Sequence, residues 1–192
     1  MENHKYCIEK SQVYEMDPFE VLPGLPPYGP SAESFSPTGL GQHHEGLVVR
    51  FQAKNGDTWV GNFQPGLGGI DFVAEHPNGR EMIVVHGGQG YVVDPHDLTK
   101  RSYFGCTIEF VEPVPELSEV IFGDGLQFQC LGQAGRVWQS NRISWDGMCD
   151  LRRVDRVLYG KAWSPIDDRW LPFELDLVTG TFTGGSYFLP AT

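Results

Sequence analysis

A strand-like alternation of side-chain faces starts at Leu47. Leu47, Val49 and Phe51 fall on one side of an extended chain, and the residues between them fall on the other. A second run, carrying Trp59, follows the tetrapeptide Lys54-Asn-Gly-Asp57. Asn-Gly between two such runs is typical of a tight hairpin turn, because both residues accept positive φ. The pattern therefore predicts a β-hairpin here.

Turn-forming sequences separate similar short runs along the rest of the chain. Pro113 and Pro115 predict a connector outside any sheet, because proline cannot donate to a strand ladder. With 24 glycines, 14 prolines and only 20% charged residues, the composition also favours short strands over helices. The fold class is therefore predicted to be all-β. The predicted strands cover residues 47–52, 59–63, 70–74, 82–86, 91–94, 101–104, 107–111, 126–131, 137–140, 151–159, 160–164, 170–177 and 181–189.

Two halves of this strand region resemble each other at an offset of 79 residues. The ungapped matches are Gly46-Leu47 with Gly125-Leu126, Gly56 with Gly135, Trp59 with Trp138 and Asn62 with Asn141. This predicts an internal pseudo-repeat of residues 46–105 and 125–185, with Trp59 and Trp138 at equivalent buried sites. A period of about 80 is too long for one propeller blade and suits a whole small sheet. We therefore expect two similar antiparallel sheets, arranged as a sandwich or a barrel-like pair.

The first 45 residues differ from the region that follows. The proline-rich run from Leu22 to Pro30 is expected to be extended, and no Lys or Arg occurs between Ser11 and Val49. Residues 1–45 are therefore predicted to form an extended acidic arm packed on a single domain, residues 46–192. One interpretation is a strap over an apolar face, and the other is a segment that displays Leu25 to Tyr28 to a partner. The anchors of the strap are Leu22, Leu25, Tyr28 and Phe35.

The net charge of −11 and the pI of about 4.8 constrain the partners. Nucleic-acid binders and proteins that bind anionic membranes use basic patches, so both classes are disfavoured and a basic protein partner is favoured. Residues 107–126 form a second stretch that has acidic residues and no Lys or Arg. The candidate partner-binding residues from the two acidic stretches are Glu15, Asp17, Glu20, Tyr28, Glu109, Glu112, Glu116, Glu119 and Asp124.

The cysteines and the N-terminus indicate where the protein is located. Cys7, Cys106, Cys130 and Cys149 lack the spacing of a zinc ribbon or a tight disulfide framework, so they are expected to be reduced and buried. The sequence has neither a signal-peptide pattern at its start nor an apolar run long enough to span a membrane. A cytoplasmic location is predicted.

No motif predicts a catalytic residue, a metal site or a cofactor. His43-His44-Glu45 and Asp94-Pro-His-Asp97 have suitable side chains for a metal or acid–base site, but they lack the spacing of ligands on one helix or strand face. The five tryptophans are expected to fill the core. The alternative is an aromatic-lined cleft in a small enzyme or ligand-binding module that acts on a carbohydrate or nucleotide.

Two runs resemble bacterial immunity proteins, which neutralise a toxin injected by a neighbouring cell. They are Arg142-Ile-Ser-Trp-Asp-Gly147 and Phe173-Glu-Leu-Asp-Leu-Val-Thr-Gly180, and the resemblance covers residues 46–189. It implies binding and occlusion of a toxin enzyme with a basic active cleft, such as a nuclease. A nuclease must attract phosphates, and an acidic protein exploits the same field.

Overall fold

The computed structural model describes residues 18–29, 31–52 and 57–187. Within these ranges the chain forms sixteen β-strands and one short 3₁₀ turn, Pro115–Leu117. The same ranges contain no helix that is long and apolar enough to cross a membrane. The prediction of an all-β fold is confirmed.

The strands form four four-stranded sheets, here named A to D. Sheet A contains β1 (Phe19–Leu22), β2 (Glu33–Phe35), β3 (Leu47–Gln52) and β4 (Thr58–Phe63). Sheet B contains β5 (Phe72–Glu75), β6 (Met82–His86), β7 (Gln89–Asp94) and β8 (Asp97–Phe104). Sheet C contains β9 (Phe110–Val114), β10 (Glu119–Gly123), β11 (Phe128–Gly132) and β12 (Gly135–Gln139). Sheet D contains β13 (Met148–Val154), β14 (Val157–Ser164), β15 (Arg169–Asp176) and β16 (Phe182–Gly184).

Sheet A has the strand order β1-β3-β4-β2. β3 and β4 are antiparallel, with Phe51 opposite Trp59, while their predicted Asn-Gly turn lies outside the described residues. β1 pairs antiparallel with β3, and β2 pairs parallel with β4, where Glu33 lies opposite Gly61. Two strands of the sheet therefore come from residues 1–45, the segment assigned from the sequence to an extended arm.

Sheets B, C and D are antiparallel meanders, in which each strand pairs with the next. The prediction that the chain leaves the sheet at Pro113 is wrong, because Pro113 lies within β9 opposite Val120. β9 is an edge strand, where the N–H that proline lacks is not needed by a neighbouring strand. The single strand predicted over residues 151–159 is also wrong. Asp155 adopts a left-handed φ of 51° and turns the chain from β13 into β14.

Neighbouring sheets pack face to face in chain order. Between sheets A and B, Phe35, Phe51 and Phe63 pack against Met82 and Tyr91. The rings of Phe35 and Phe63 stack with their centroids 4.5 Å apart. Each packed pair of sheets is sandwich-like, and no sheet of the described chain closes into a barrel.

The two middle sheets are apolar on both faces. In β6, Val84 joins the A/B layer and Ile83 joins the B/C layer. In β10, Phe122 joins the B/C layer, whereas Ile121 packs against Leu158 of sheet D. Because successive strand residues point to opposite faces, a strand covered on both sides needs a continuous apolar run. The runs in β6 and β10 place sheets B and C inside the stack.

The pseudo-repeat is visible in the order of the strands. Residues 46–105 contain the hairpin β3–β4 followed by the meander of sheet B, and residues 125–185 contain the hairpin β11–β12 followed by the meander of sheet D. Phe51 lies opposite Trp59 in the first hairpin, and Cys130 lies opposite Trp138 in the second. Each half nevertheless holds strands of two sheets, so the fold has four sheets where two were expected.

Burial of the matched residues is less complete than predicted. Trp59 and Trp138 occupy equivalent positions but are only partly buried. Among the described cysteines, Cys130 is buried, whereas Cys106 is exposed, contrary to the prediction. Burial raises the pKa of the Cys130 thiol above its ordinary value, and the neighbouring Glu119 raises it further.

Candidate functional site

A groove lies beside the loop that joins β2 to β3. Its volume is about 510 Å³, and its walls come from this loop, from the β4–β5 loop and from Cys106. Leu40 of the β2–β3 loop and Leu67 of the β4–β5 loop line the groove, and His44 and Glu45 contribute polar groups. We name this feature the arm groove.

Backbone hydrogen bonds hold the β4–β5 wall of the arm groove. The N–H of Leu67 donates to the carbonyl of Cys106 at 2.6 Å, and the N–H of Gly66 donates to the carbonyl of His86 at 3.1 Å. A Cβ on Gly66 would lie 2.4 Å from the Cys106 carbonyl oxygen, so this close approach requires glycine. The position of Leu67 is therefore fixed by the framework of sheets A and B.

Side-chain amides hold the opposite wall. Asn62 Nδ2 donates to the His44 carbonyl at 2.9 Å, and Gln64 Nε2 donates to the same oxygen at 2.8 Å. The N–H of Gly46 donates to Asn62 Oδ1 at 2.8 Å. Both amides are buried, and a buried polar group that is satisfied resists displacement. The loop is therefore pre-ordered, which lowers the entropy cost of binding.

Two leucines of the arm groove face solvent. Leu40 is 75% exposed and Leu67 is 84% exposed. A single exposed leucine needs no explanation, but two at the rim of one groove offer a partner a combined apolar contact.

The electrostatics of the groove favour a cationic partner. None of the described residues that line it is Lys or Arg, and Glu45 is part of its wall. Oε2 of Glu45 accepts the N–H of Leu25 at 2.9 Å, which ties the preceding segment to the groove. One carboxylate in a groove with two exposed leucines suits an apolar side chain next to a basic one.

The proposed anchors of the arm behave differently from one another. Phe35 is fully buried in the A/B layer, and Leu22 is partly buried. Tyr28 is 90% exposed and Leu25 is also exposed, so Tyr28 does not anchor the segment. The residues from Leu25 to Tyr28 are instead displayed at the surface.

The acidic candidates of the first stretch are only partly described. Glu15 and Asp17 lie outside the described residues. Glu20 is exposed and forms an ion pair with Arg50 at 2.7 Å on the neighbouring strand. Exposed pairs of this kind contribute little to stability, so Glu20 remains accessible to a basic partner.

Two acidic candidates of the second stretch bind one arginine. Arg153 of sheet D lies 3.0 Å from Glu112 and 2.7 Å from Glu116, both in the segment of sheet C. Burial raises the pKa of Glu112, and the positive charge of Arg153 offsets part of this rise. The pKa of Glu116 is lowered, chiefly by a hydrogen bond to its own backbone and also by Arg153. These carboxylates join sheets C and D.

The remaining candidates of that stretch have separate environments. Asp124 accepts the N–H groups of Leu126 and Gln127 and so caps the turn before β11. Glu119 has a buried carboxyl oxygen with no hydrogen-bond partner among the described residues. Glu109 is exposed. The acidic candidates of this stretch therefore differ in role, since Glu112 and Glu116 pair with Arg153, Asp124 caps a turn and the other two form no ion pair among the described residues.

The histidine and carboxylate motifs do not converge. Asp94 binds Arg80 at 2.7 Å and accepts the N–H of His96, so it is occupied in a turn. His44 contributes its carbonyl to the wall of the arm groove. Across residues 18–29, 31–52 and 57–187, no three His, Cys, Asp or Glu side chains form a potential metal site.

Aromatic residues form a second surface near the end of the chain. Trp145 and Tyr187 meet edge to face at 4.6 Å, and the guanidinium of Arg142 lies 4.7 Å from the Tyr187 ring. Trp163 and Trp170 pack together at 5.3 Å, and Trp170 is exposed. The expectation that all five tryptophans fill the core is therefore wrong.

Sequence comparison assigns this chain to no family. No protein-family model matches the chain, and no curated protein sequence is significantly similar to it. A crystal structure of a eukaryotic initiation factor is similar to this chain at a TM-score of 0.39 and 11% sequence identity. The alignment covers 73% of this chain and 40% of that chain, so this protein spans less than two thirds of its length. A likeness of this size carries no argument about function.

Proposed function

We propose that this protein is a cytoplasmic immunity protein, which binds and inhibits a bacterial toxin enzyme by occluding its basic active cleft. The toxin is an enzyme such as a nuclease, and the contact is protein to protein. The arm groove carries the proposal, because it combines two exposed leucines with an acidic wall and a pre-ordered backbone.

In the proposed contact, apolar residues supply most of the affinity and acidic charge accelerates association. Affinity in protein interfaces is concentrated in a few apolar or aromatic residues, for which Leu40, Leu67 and Tyr28 are available. Charge mainly accelerates encounter and selects the partner, which the net charge of −11 provides. A basic loop of the toxin would place an apolar side chain between the leucines and its cation beside Glu45.

Acidic residues of sheet A are candidates for this contact, because loops of that sheet form the groove. Glu20 and Glu33 each pair with an arginine at an exposed site, Arg50 and Arg101. Glu112 and Glu116 share the less exposed Arg153 between sheets C and D. The contact is therefore proposed to involve sheet A and its loops.

Co-expression with a toxin encoded beside the gene tests the proposal. We expect the protein to restore growth, to form a stoichiometric complex and to abolish the toxin's activity in solution. A double variant, Leu40→Ser with Leu67→Ser, should lose this protection. The matched control Ile166→Ser removes an equally exposed apolar residue from sheet D and should retain it. Equal protection by both variants would place the contact elsewhere.

The aromatic surface supports a second candidate function. Trp145, Tyr187 and Arg142 form a cluster of two rings and a cation, the residue types that stack on sugars or bases, and Trp145 is partly exposed to a ligand. A carbohydrate- or nucleotide-binding module would use this surface, with or without catalysis. Quenching of tryptophan fluorescence by such a ligand, and loss of quenching in Trp145→Ala, would favour this function over toxin inhibition.

A further inference from the structure

A separate cleft of about 360 Å³ lies between sheets B and C and shares no lining residue with the arm groove. Its inner wall is apolar, with Val92 and Phe104 from sheet B and Leu131 from sheet C. Small-molecule sites in proteins are clefts of roughly 300–1,000 Å³ with mainly apolar walls and a few placed polar groups. The size and the lining fall within that description.

His76 supplies a placed polar group. The residue is only 4% exposed, and its Nδ1 accepts the backbone N–H of Asn78 at 3.2 Å. Because Nδ1 accepts, the ring proton resides on Nε2. Burial lowers the pKa of His76, so the ring is a neutral donor at pH 7. Nε2 is not sealed from solvent, since the one fully buried side-chain polar atom without a partner among the described residues belongs to Glu119, and its N–H is therefore available to a ligand in the cleft.

Opposite charges come from the two sheets. Glu81, at the start of the strand pair of sheet B, lines the cleft, and Arg136 of β12 in sheet C lines it as well. Glu81 uses Oε2 to accept Asn78 Nδ2 at 2.6 Å, which leaves Oε1 available. Arg136 uses Nη1 to donate to Gln139 at 3.1 Å, which leaves other guanidinium N–H groups available. No ion pair joins Glu81 and Arg136 in the described chain, so each retains capacity for a ligand.

We propose that this cleft binds a free α-amino acid with an apolar side chain. The ammonium group is bound by the Glu81 carboxylate, and the carboxylate accepts from Arg136 and from His76 Nε2–H. The side chain lies against Phe104 and Leu131. A ligand with one charge would leave either Glu81 or Arg136 unmatched, whereas a zwitterion with an apolar body matches all of these groups. The site is independent of toxin binding.

Titration calorimetry with L-phenylalanine tests the proposal, with 3-phenylpropanoate and phenethylamine as analogues that each lack one charge. We expect L-phenylalanine to bind and each analogue to bind at least about tenfold more weakly, because each loses a charge-assisted contact. Equal affinity of L-phenylalanine and either analogue would overturn the zwitterion assignment. No heat from L-phenylalanine or L-leucine up to about 10 mM would overturn the site itself.

Substitutions locate the binding. Glu81→Gln and Arg136→Gln should each weaken L-phenylalanine by about tenfold, while Glu75→Gln, at an exposed position of β5, should not change it. Glu81→Gln should also abolish the preference for L-phenylalanine over 3-phenylpropanoate, since the ammonium group of L-phenylalanine then has no carboxylate to bind. The two Glu→Gln substitutions keep side-chain shape and Arg136→Gln shortens an exposed side chain, and unchanged thermal melting will show that folding is retained. Equal binding by all three variants would contradict the proposed site.

Discussion

The indole N–H of Trp138 donates a 3.0 Å hydrogen bond to the backbone carbonyl of Leu177, in the turn that follows β15. Trp59 donates a bond of the same length to the carbonyl of Pro95, in the turn that follows β7. In each half of the repeat a hairpin tryptophan therefore fastens one sheet to the last turn of the next sheet. The pseudo-repeat therefore includes this contact as well as the order of the strands.

Trp138→Phe should reduce the free energy of unfolding by about 1 kcal/mol, because it removes the donor and leaves the Leu177 carbonyl short of a partner. Trp138→Ala should cost about 3 kcal/mol, at the low end for a large aromatic because the ring is only partly buried. Urea unfolding measures both. Trp59→Phe is the matched variant, and a cost confined to one of the two phenylalanine variants would contradict the equivalence.

Gly88→Ala should destabilise the fold by about 2 kcal/mol or more. Gly88 has a φ of 81°, and a Cβ there would lie 2.6 Å from the Cα of Gly68. Gly69→Ala is the control, because a Cβ at Gly69 meets open space and its φ is not in the left-handed region. The control should be neutral or slightly stabilising. A similar cost for both alanines in thermal unfolding would show that the close approach is unimportant.

Arg153→Met should cost about 2 kcal/mol at pH 7, because it leaves the half-buried Glu112 carboxylate without its cation. Removal of Arg153 also raises the pKa of Glu112 further. A carboxyl group with a raised folded-state pKa loses stability as pH rises from its ordinary pKa through the folded value.

The cost of Arg153→Met should therefore be smaller at pH 4 than at pH 7, since protonated Glu112 needs no cation. Chemical denaturation at the two pH values measures this difference. Arg152→Met is the control, because Arg152 lies over the Tyr159 ring on the other face of sheet D. The pH dependence of the control should match that of the unchanged protein.

Association with the proposed toxin partner should slow as salt is added, because the Debye length falls from about 30 Å at 0.01 M to about 8 Å at 0.15 M. Glu45→Lys and Glu20→Lys should slow association further at low salt. Glu116→Gln should not, since Glu116 pairs with Arg153 at the junction of sheets C and D, away from sheet A. Stopped-flow or surface-based kinetics separate the rates, and Leu67→Ser should act mainly on dissociation. An association rate that ignores salt would reject electrostatic steering.

Local sequence pattern accounts for much of the fold. The observed bounds of β6, Met82–His86, coincide with the predicted run, because apolar residues between glycine-containing turns form a strand without distant information. β2 is different, since its three residues pair with β4, and Glu33 lies opposite Gly61 far along the chain. Nothing near Glu33 encodes that pairing. The division into four sheets was not predicted either. The matches at an offset of 79 residues relate the β3–β4 hairpin to the β11–β12 hairpin, so they indicate two repeated units without showing that each unit holds strands of two sheets.

The candidate site depends even more on tertiary structure. The sequence shows the acidic residues, but only the fold shows that Arg153 forms ion pairs with Glu112 and Glu116. Leu40 and Leu67 belong to different loops, and their shared groove follows from the bond between Leu67 and Cys106. The exposure of both leucines could not be predicted from the sequence pattern, because loop residues have no regular buried face.

The stacking of sheets in chain order has a consequence for how the molecule opens. Sheets A and D each contribute to one of the three apolar layers, whereas sheets B and C each contribute to two. Loosening an outer sheet therefore breaks one layer, and loosening an inner sheet breaks two, as in linear repeat proteins whose units contact only their neighbours. Amide protons of β6 and β10 should consequently exchange with solvent last, and partial unfolding should begin in sheet A or sheet D. The aromatic surface borders sheet D and so lies where rearrangement costs least, whereas hydrogen bonds to His86 and Cys106 connect the arm groove to the inner sheet B.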